Sequence, residues 1–314
     1  MSLLRLLFVL ALALPSCSST ELANSREFTF TYGATITDLA PGALARIWLP
    51  LAQSGRYQQI TIDGVDVPGE PRYTTESRYG NRLLFTEARA DERGRIALKV
   101  MYSVRRDEVL PHSGSELNDE QRELFLLSNA MVPVGDPAVK HLVDTRDHEV
   151  SPRALYDLVD DQVAYDKPAG GDWGRGDALW VCDSGHGNCT DFHSLFIALC
   201  RSNNIPARFQ MGFPLPADKS EGTLGGYHCW AWFETGGRWS ACDISEADKH
   251  PELKEYYFGH LTPDRLAFTI GRDLTLEPPQ AGPPLNYLIY PYVEVAGQVH
   301  STFEKQFSFG PATP

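Results

Sequence analysis

Positive charge is what this chain has little of. Lys and Arg number 28 against 41 Asp and Glu in 314 residues, a formal net charge of −13. That balance offers no basic field to a phosphate backbone and argues against nucleic-acid binding. Cysteine is scarce as well: six residues are too few to staple a chain of this length, yet enough for a nucleophile, a metal site or one or two bridges. Outside the N-terminus no apolar run approaches the ~20 residues that span a bilayer. No internal repeat or low-complexity tract is visible. The run Gly170-Gly171-Asp172-Trp173-Gly174-Arg175-Gly176 fits neither the dinucleotide fingerprint nor the GxxxxGK[ST] phosphate loop, and a turn or close backbone approach accounts for it better. A D-x-[DN]-x-[DN]-G calcium loop is also missing. The hydrophobic content of 42% excludes a disordered polymer, and the length fits about two domains.

Arg5 precedes an unbroken apolar run from Leu6 to Leu14, too short to cross a bilayer, so residues 1–16 read as a secretory signal. Leu14-Pro15-Ser16-Cys17, followed by Ser18-Ser19-Thr20, resembles the lipobox of bacterial lipoproteins, with Pro15 off the usual pattern. The resemblance implies cleavage before Cys17, lipidation of its thiol and a membrane anchor, with residues 17–25 as a linker. Ser19, second after Cys17, favours the outer membrane. Cleavage near Ser16 with release into the periplasm is the alternative. Loss of Arg5 makes the mature chain more acidic still, so membrane association is expected only through the lipid and not through a basic surface.

Residues 26–110 alternate apolar and polar in short runs divided by Gly, Pro and Asp: Phe28 to Tyr32, Ala45 to Leu49, Gln59 to Ile62, Arg82 to Phe85 and Ile96 to Tyr102. Period-two runs at these intervals predict an antiparallel β-sandwich. Nothing there concentrates reactive side chains, so a scaffold or docking role is expected. From 117 to 310 the texture is that of a second, α+β domain. Asp119 to Leu127 predicts one helix, and Ser151-Pro152 opens another with a serine cap and a proline in the first helical position.

The chemistry-bearing segment runs from Gly187 to Arg201. Asn188 is a good helix cap, Asp191 a favourable first-turn charge, and Asn203-Asn204 before Ile205-Pro206 a stop. Cys189 therefore stands at the start of a buried helix, where free amides and the helix dipole favour thiolate over thiol. Downstream, Tyr227 to Glu234 and Arg238 to Ile244 read as two strands joined at Thr235-Gly236-Gly237. A two-residue loop at Gly236-Gly237 sets Trp230 opposite Asp243 and places His228 diagonally beside Asp243 on one face. An acceptor beside an imidazole is the orienting arrangement that a general base needs.

Gly187 through Cys189, Arg201 with Ile205-Pro206-Ala207-Arg208-Phe209, Tyr227-His228-Cys229-Trp230-Ala231 and Trp239-Ser240-Ala241-Cys242-Asp243 resemble the bacterial transglutaminase-like superfamily. The tail from Tyr256 through Asp264-Arg265 and Gly271-Arg272-Asp273 to Pro291-Tyr292-Val293-Glu294 is similar to members of the same group. The resemblance spans about residues 150 to 300. It implies a papain-like Cys-His-Asp core, with the nucleophile helix packed on an antiparallel sheet behind the N-terminal β-sandwich. Cys189 would attack an amide or acyl carbonyl, His228 would shuttle the proton and Asp243 would orient it. Water or an amine would resolve the acyl-enzyme, and a protein or peptide would be the substrate, without a cofactor. The N–H of Cys189 is the default oxyanion donor, with Trp180 or another residue of the 172–186 loop suggested as the second. Thr190 stands where animal transglutaminases carry tryptophan, so calcium-dependent crosslinking is not implied. Ile244 replaces the proline or small residue common after the aspartate.

The sequence leaves two rival readings open. Cys182, His186, Cys189 and His193 have spacings that a structural zinc site could use, although such a site leaves His228 and Asp243 unexplained. The same fold could also be a non-catalytic module that presents its groove to a peptide or glycan. Trp230, which alternates onto the His228 face, is a candidate substrate contact. Cys200 reads as core, Cys182 is unassigned, and Cys229 and Cys242 are buried small residues or a cross-strand bridge.

Overall fold

The computed structural model describes residues 23–144 and 150–312. The predicted signal, Cys17, Ser19 and most of the 17–25 linker lie outside the described residues. Six strands come first: β1 (Ser25–Ile36), β2 (Leu44–Pro50), β3 (Gln58–Asp66), β4 (Arg72–Thr75), β5 (Arg82–Arg89) and β6 (Ile96–Asp107). Then follow α1 (Asp119–Leu124), α2 (Pro137–Asp144), α3 (Pro152–Gln162), β7 (Ala164–Tyr165), α4 (Ala178–Ser184), β8 (His186–Gly187) and α5 (Cys189–Ser202). The chain continues through β9 (Ala207–Pro214), β10 (Gly222–Leu224), β11 (His228–Thr235), β12 (Arg238–Cys242), α6 (Ile244–Lys249) and β13 (Arg265–Ile270). It ends with β14 (Tyr292–Val295), β15 (Gln298–Val299) and β16 (Phe303–Pro311).

The architecture is α+β with mainly antiparallel sheets; the short β7–β8 pair is parallel. One sandwich sheet has the order β10-β16-β1-β6-β3 and the other β15-β14-β2-β5-β4. The alternation read from the sequence is realised in β1, where Phe28, Phe30, Tyr32, Ala34 and Ile36 are buried. Opposite them, Ile96, Leu98, Val100, Tyr102 and Val104 of β6 form the matching inward row. The sandwich is not confined to residues 26–110, however. β14 pairs with β2, and β16 with β1, so the last strands of the chain return to complete both sheets. Without them β1 and β2 would be edge strands with a row of unpaired backbone groups.

The second unit is built on a four-stranded sheet, β12-β11-β9-β13. α5 packs against β11 and β9 and is flanked by α2, α3, α4 and α6. Cys189 through Arg201 are all buried, which explains why its sequence shows no solvated face. Its cap is as predicted: Asn188 Oδ1 accepts from Thr190 N at 2.8 Å, and Asp191 Oδ2 accepts from Asn188 N at 2.9 Å, closing a capping box. The β11–β12 hairpin also has the predicted register, with Ala231 opposite Cys242 and Thr235 opposite Arg238. Gly236 and Gly237 both adopt positive φ, the twist that a two-residue hairpin turn requires. The strand ends at Cys242, though, and Asp243 begins the turn into α6 as its N-cap.

Candidate active site

α5 and the sheet bring Cys189, His228 and Asp243 together. Cys189 is the first residue of α5 and is 3% exposed. His228 opens β11, and its Nε2 lies 2.6 Å from Asp243 Oδ2. That leaves Nδ1 of the same ring to face the thiol, and His228 and Cys189 each favour the charged form of the other. Asp243 is completely buried and fixed from several sides. Its Oδ1 accepts from Ser245 Oγ at 3.0 Å and from Glu246 N at 3.1 Å, while Oδ2 also accepts from the Arg265 guanidinium on β13.

The glycine-rich loop is the close backbone approach expected of it. Gly174 N and Gly176 N donate to the Asp191 carboxylate at 2.6 and 2.9 Å. Gly176 has φ +64, and a Cβ there would stand 2.4 Å from Arg272 Nη2 and 2.6 Å from Ser194 Oγ. Arg272 in turn donates to Gly176 O and to Ser194 Oγ. The first turn of α5 is thus held by charge-assisted hydrogen bonds, which keeps the cysteine from moving relative to the sheet.

Electrostatics separate the protons of the group. The neighbouring Cys229 thiol is the largest influence on Cys189; burial opposes it, and the His228 charge adds to it, leaving the Cys189 thiol well below its usual range. Burial pushes the His228 imidazole down, but the Asp243 carboxylate and the Cys189 thiolate outweigh it and raise it to about 9. Asp243 is opposed by burial and held well below the carboxylate range by His228 and Arg265. Burial raises Cys229 well above an ordinary thiol, so it remains a proton donor. A thiolate beside an imidazolium, with a fixed carboxylate behind it, is an activated nucleophile paired with a proton donor.

Cys229 and Arg265 are the partners that the sequence reading missed. Strand alternation puts Cys229 on the face of β11 that meets α5, a signal already present in the spacing. Arg265 comes from a distant strand and left no local signal. Cys229 also lies 3.6 Å from His193 Nδ1, and Ile244 N donates to His193 Nε2 at 3.2 Å, which assigns the ring proton to Nδ1. Burial lowers the pKa of His193, so this ring is a neutral support under the hairpin. Replacing Cys229 with alanine is expected to slow alkylation of Cys189 at pH 6 about tenfold, since a hydrogen bond to a charged group contributes ~1.5–3 kcal/mol. Site-resolved mass spectrometry of the alkylated protein measures this. An unchanged rate would remove Cys229 from the site.

The remaining sequence expectations fall elsewhere. Cys229 and Cys242 are free thiols and not a bridge. Trp230 is fully buried and offers substrate no surface; its Nε1 donates to Gln210 Oε1 at 2.8 Å, and its ring lies under the Arg265 guanidinium. Trp180 is half-buried on α4 and meets the His186 ring edge-on at 5.3 Å. The alternative zinc grouping is not assembled: His186 Nδ1 bonds Ser184 O, His193 holds Ile244, and no group of three or more such ligands is poised for a metal among the described residues.

Comparison with known proteins gives the wider setting. A Haemophilus influenzae protein described as uncharacterised is 27% identical over 337 aligned positions, covering 91% of this chain and 90% of its own. A crystal structure from Cytophaga hutchinsonii, provisionally described as a cysteine protease, superposes with a TM-score of 0.59 at 17% identity. It covers 91% of this chain and 92% of the other, and so shares the fold across both units. Residues 141–244, the span that holds Cys189, His228 and Asp243, match the Transglutaminase-like superfamily.

Proposed function

We propose that this protein is a thiol enzyme that cleaves or transfers acyl groups at amide bonds of a peptide or protein, through a Cys189–His228–Asp243 triad. The observation that carries the reading is the 2.6 Å contact of His228 with a buried Asp243, at a ring whose charge also lowers the pKa of a helix-start cysteine. The Cys189 thiolate attacks the carbonyl carbon, and the developing oxyanion meets the N–H of Cys189, which has no intrahelical partner by position. The His228 imidazolium gives its proton to the departing amine as the carbon–nitrogen bond breaks, leaving a thioester and a neutral imidazole. Water or a second amine then attacks the thioester while His228 removes a proton, and the thiolate returns. Asp243 keeps the ring oriented and stabilises its charge.

The match to the Transglutaminase-like superfamily and the description of the Cytophaga hutchinsonii protein support this class of chemistry. The apolar run before Cys17 further supports export and a lipid anchor in the cell envelope. Among the described residues no helix is long and apolar enough to cross a membrane. Exposing the protein to envelope peptides and quenching in acid should leave a mass increment on Cys189 that hydroxylamine releases as a hydroxamate. Cys189→Ala should show neither increment nor turnover. A wild-type protein that never carries an acyl adduct and turns nothing over would overturn the proposal.

A further inference from the structure

Between the sandwich and the core sheet lies a partly open cavity of about 220 Å³. It lies on the side of the core sheet turned away from α5, because Trp232 of β11 lines it while the neighbouring Ala231 and Phe233 belong to the core shared with α5. Two arginines reach it from opposite walls. In β6 the inward row Ile96, Leu98, Val100, Tyr102, Val104 ends in Arg106, where strand period would place another aliphatic residue. In β9 the alternation that sends Ala207, Phe209 and Met211 toward α5 sends Arg208 and Gln210 the other way.

These groups are oddly free for their burial. Arg106 is 3% exposed; among the described residues only its Nη1 finds an acceptor, Tyr57 O at 3.4 Å, while Nε and Nη2 find none. Arg208 lies over the rings of Trp239 and Trp232 at 4.5 and 5.2 Å, and its Nε is buried without an acceptor. Neither guanidinium has a carboxylate within ion-pair distance among the described residues, and no Asp or Glu lines the cavity. Trp239 Nε1, a donor only, is buried and likewise has no partner among the described residues. Gln210 spends its carbonyl oxygen on the Trp230 and Trp232 indoles, which leaves its amide hydrogens over.

A buried cation without a counter-charge is costly; Arg106 is one, and the half-buried Arg208 shares its pocket, which is walled by donors. We propose that the cavity binds a small molecule through a doubly charged phosphoryl group, with Arg106 and Arg208 as its counter-charges. A dianion neutralises both guanidinia, and its oxygens supply acceptors for Arg106 Nε and Nη2, Arg208 and Trp239 Nε1. Burial and repulsion from Arg265 pull Arg106 down to about 10, and burial does the same to Arg208, strain that such a ligand relieves. Arg56 stands exposed at the rim and adds positive charge to the approach. This site does not depend on the thiol chemistry assigned to Cys189.

Calorimetric titration of the whole chain at constant ionic strength tests it with inorganic phosphate, glycerol phosphate and acetate as probes. One saturable site for phosphate is expected, unchanged in Cys189→Ala and weakened at least tenfold in Arg208→Gln and in Arg106→Gln. Tighter binding of glycerol phosphate than of phosphate would identify an ester as the preferred source of the group, and the reverse would identify the free ion. Trp239→Phe preserves the ring while removing the single N–H, so it carries the test if either arginine variant fails to fold. Absence of saturable binding by both phosphate probes, equal binding of acetate, or phosphate binding indifferent to all three substitutions would overturn the proposal.

Discussion

Replacing Arg265 with methionine is expected to destabilise the fold by about 3–5 kcal/mol, the usual cost of removing one partner from a buried charge pair. Asp243 is fully buried and has Arg265 as its permanent counter-charge, since His228 is charged only when protonated. Arg265 is 3% exposed, and its guanidinium lies over the rings of Trp230 and Tyr257. The pH dependence identifies the cause. Because Asp243 is held well below its ordinary value, it contributes stability above ~3.9 that is lost as pH falls through the depressed value. Arg265→Met shrinks that depression, so acid unfolding should begin at higher pH. His228, raised to about 9, contributes stability that is full below ~6.5 and lost as pH rises through about 9. Urea unfolding across pH measures both limbs. Arg265→Lys, which keeps the charge, should recover part of the loss, and a variant as stable as wild type would contradict the pairing.

In His228→Ala, alkylation of Cys189 at pH 6 is expected to fall about a hundredfold. Without the imidazolium the thiol returns toward an ordinary value near ~8.5, at which well under a hundredth of it is thiolate at pH 6. By pH 9 the deficit should close to less than tenfold, because an ordinary thiol is then largely ionised. Turnover should suffer at every pH, by ~10²–10⁴, through loss of the proton shuttle. A histidine with only a packing role would leave the alkylation rate unchanged at both pH values, so rates measured at pH 6 and 9 separate the two.

Much of the candidate site was legible because its geometry is local. Asn188 and Asp191 announce the start of α5, and Gly236-Gly237 sets the register that brings the ends of β11 and β12 together. Even so, His228 does not meet Asp243 as a diagonal strand pair. The chain has left the sheet by Asp243, and the carboxylate reaches His228 from the first turn before α6. The missing parts are those whose partners are remote in sequence. Arg265 reaches Asp243 from β13, and Cys229 turns toward α5 and not toward Cys242. Trp230 read as a groove wall because alternation gives a face but does not say whether that face is covered. The sandwich strands between 26 and 110 declare themselves by period two, whereas β14 and β16 join them through pairings more than 200 residues apart in sequence.

Cys189 is held well below the ordinary thiol range by its neighbours. The chain contains its own reference: Cys182 is a half-buried free thiol that burial pushes up to about 11. Exposing the wild-type protein to limiting iodoacetamide between pH 5 and 10, with site-resolved mass spectrometry, compares the two thiols in one sample. Label should accumulate on Cys189 and not Cys182 at pH 6, and the Cys189 rate should change again near pH 9 as His228 loses its proton. If Cys189 instead stays unlabelled until pH exceeds ~8.5, like an ordinary thiol, or never outpaces Cys182, the account of this site is wrong.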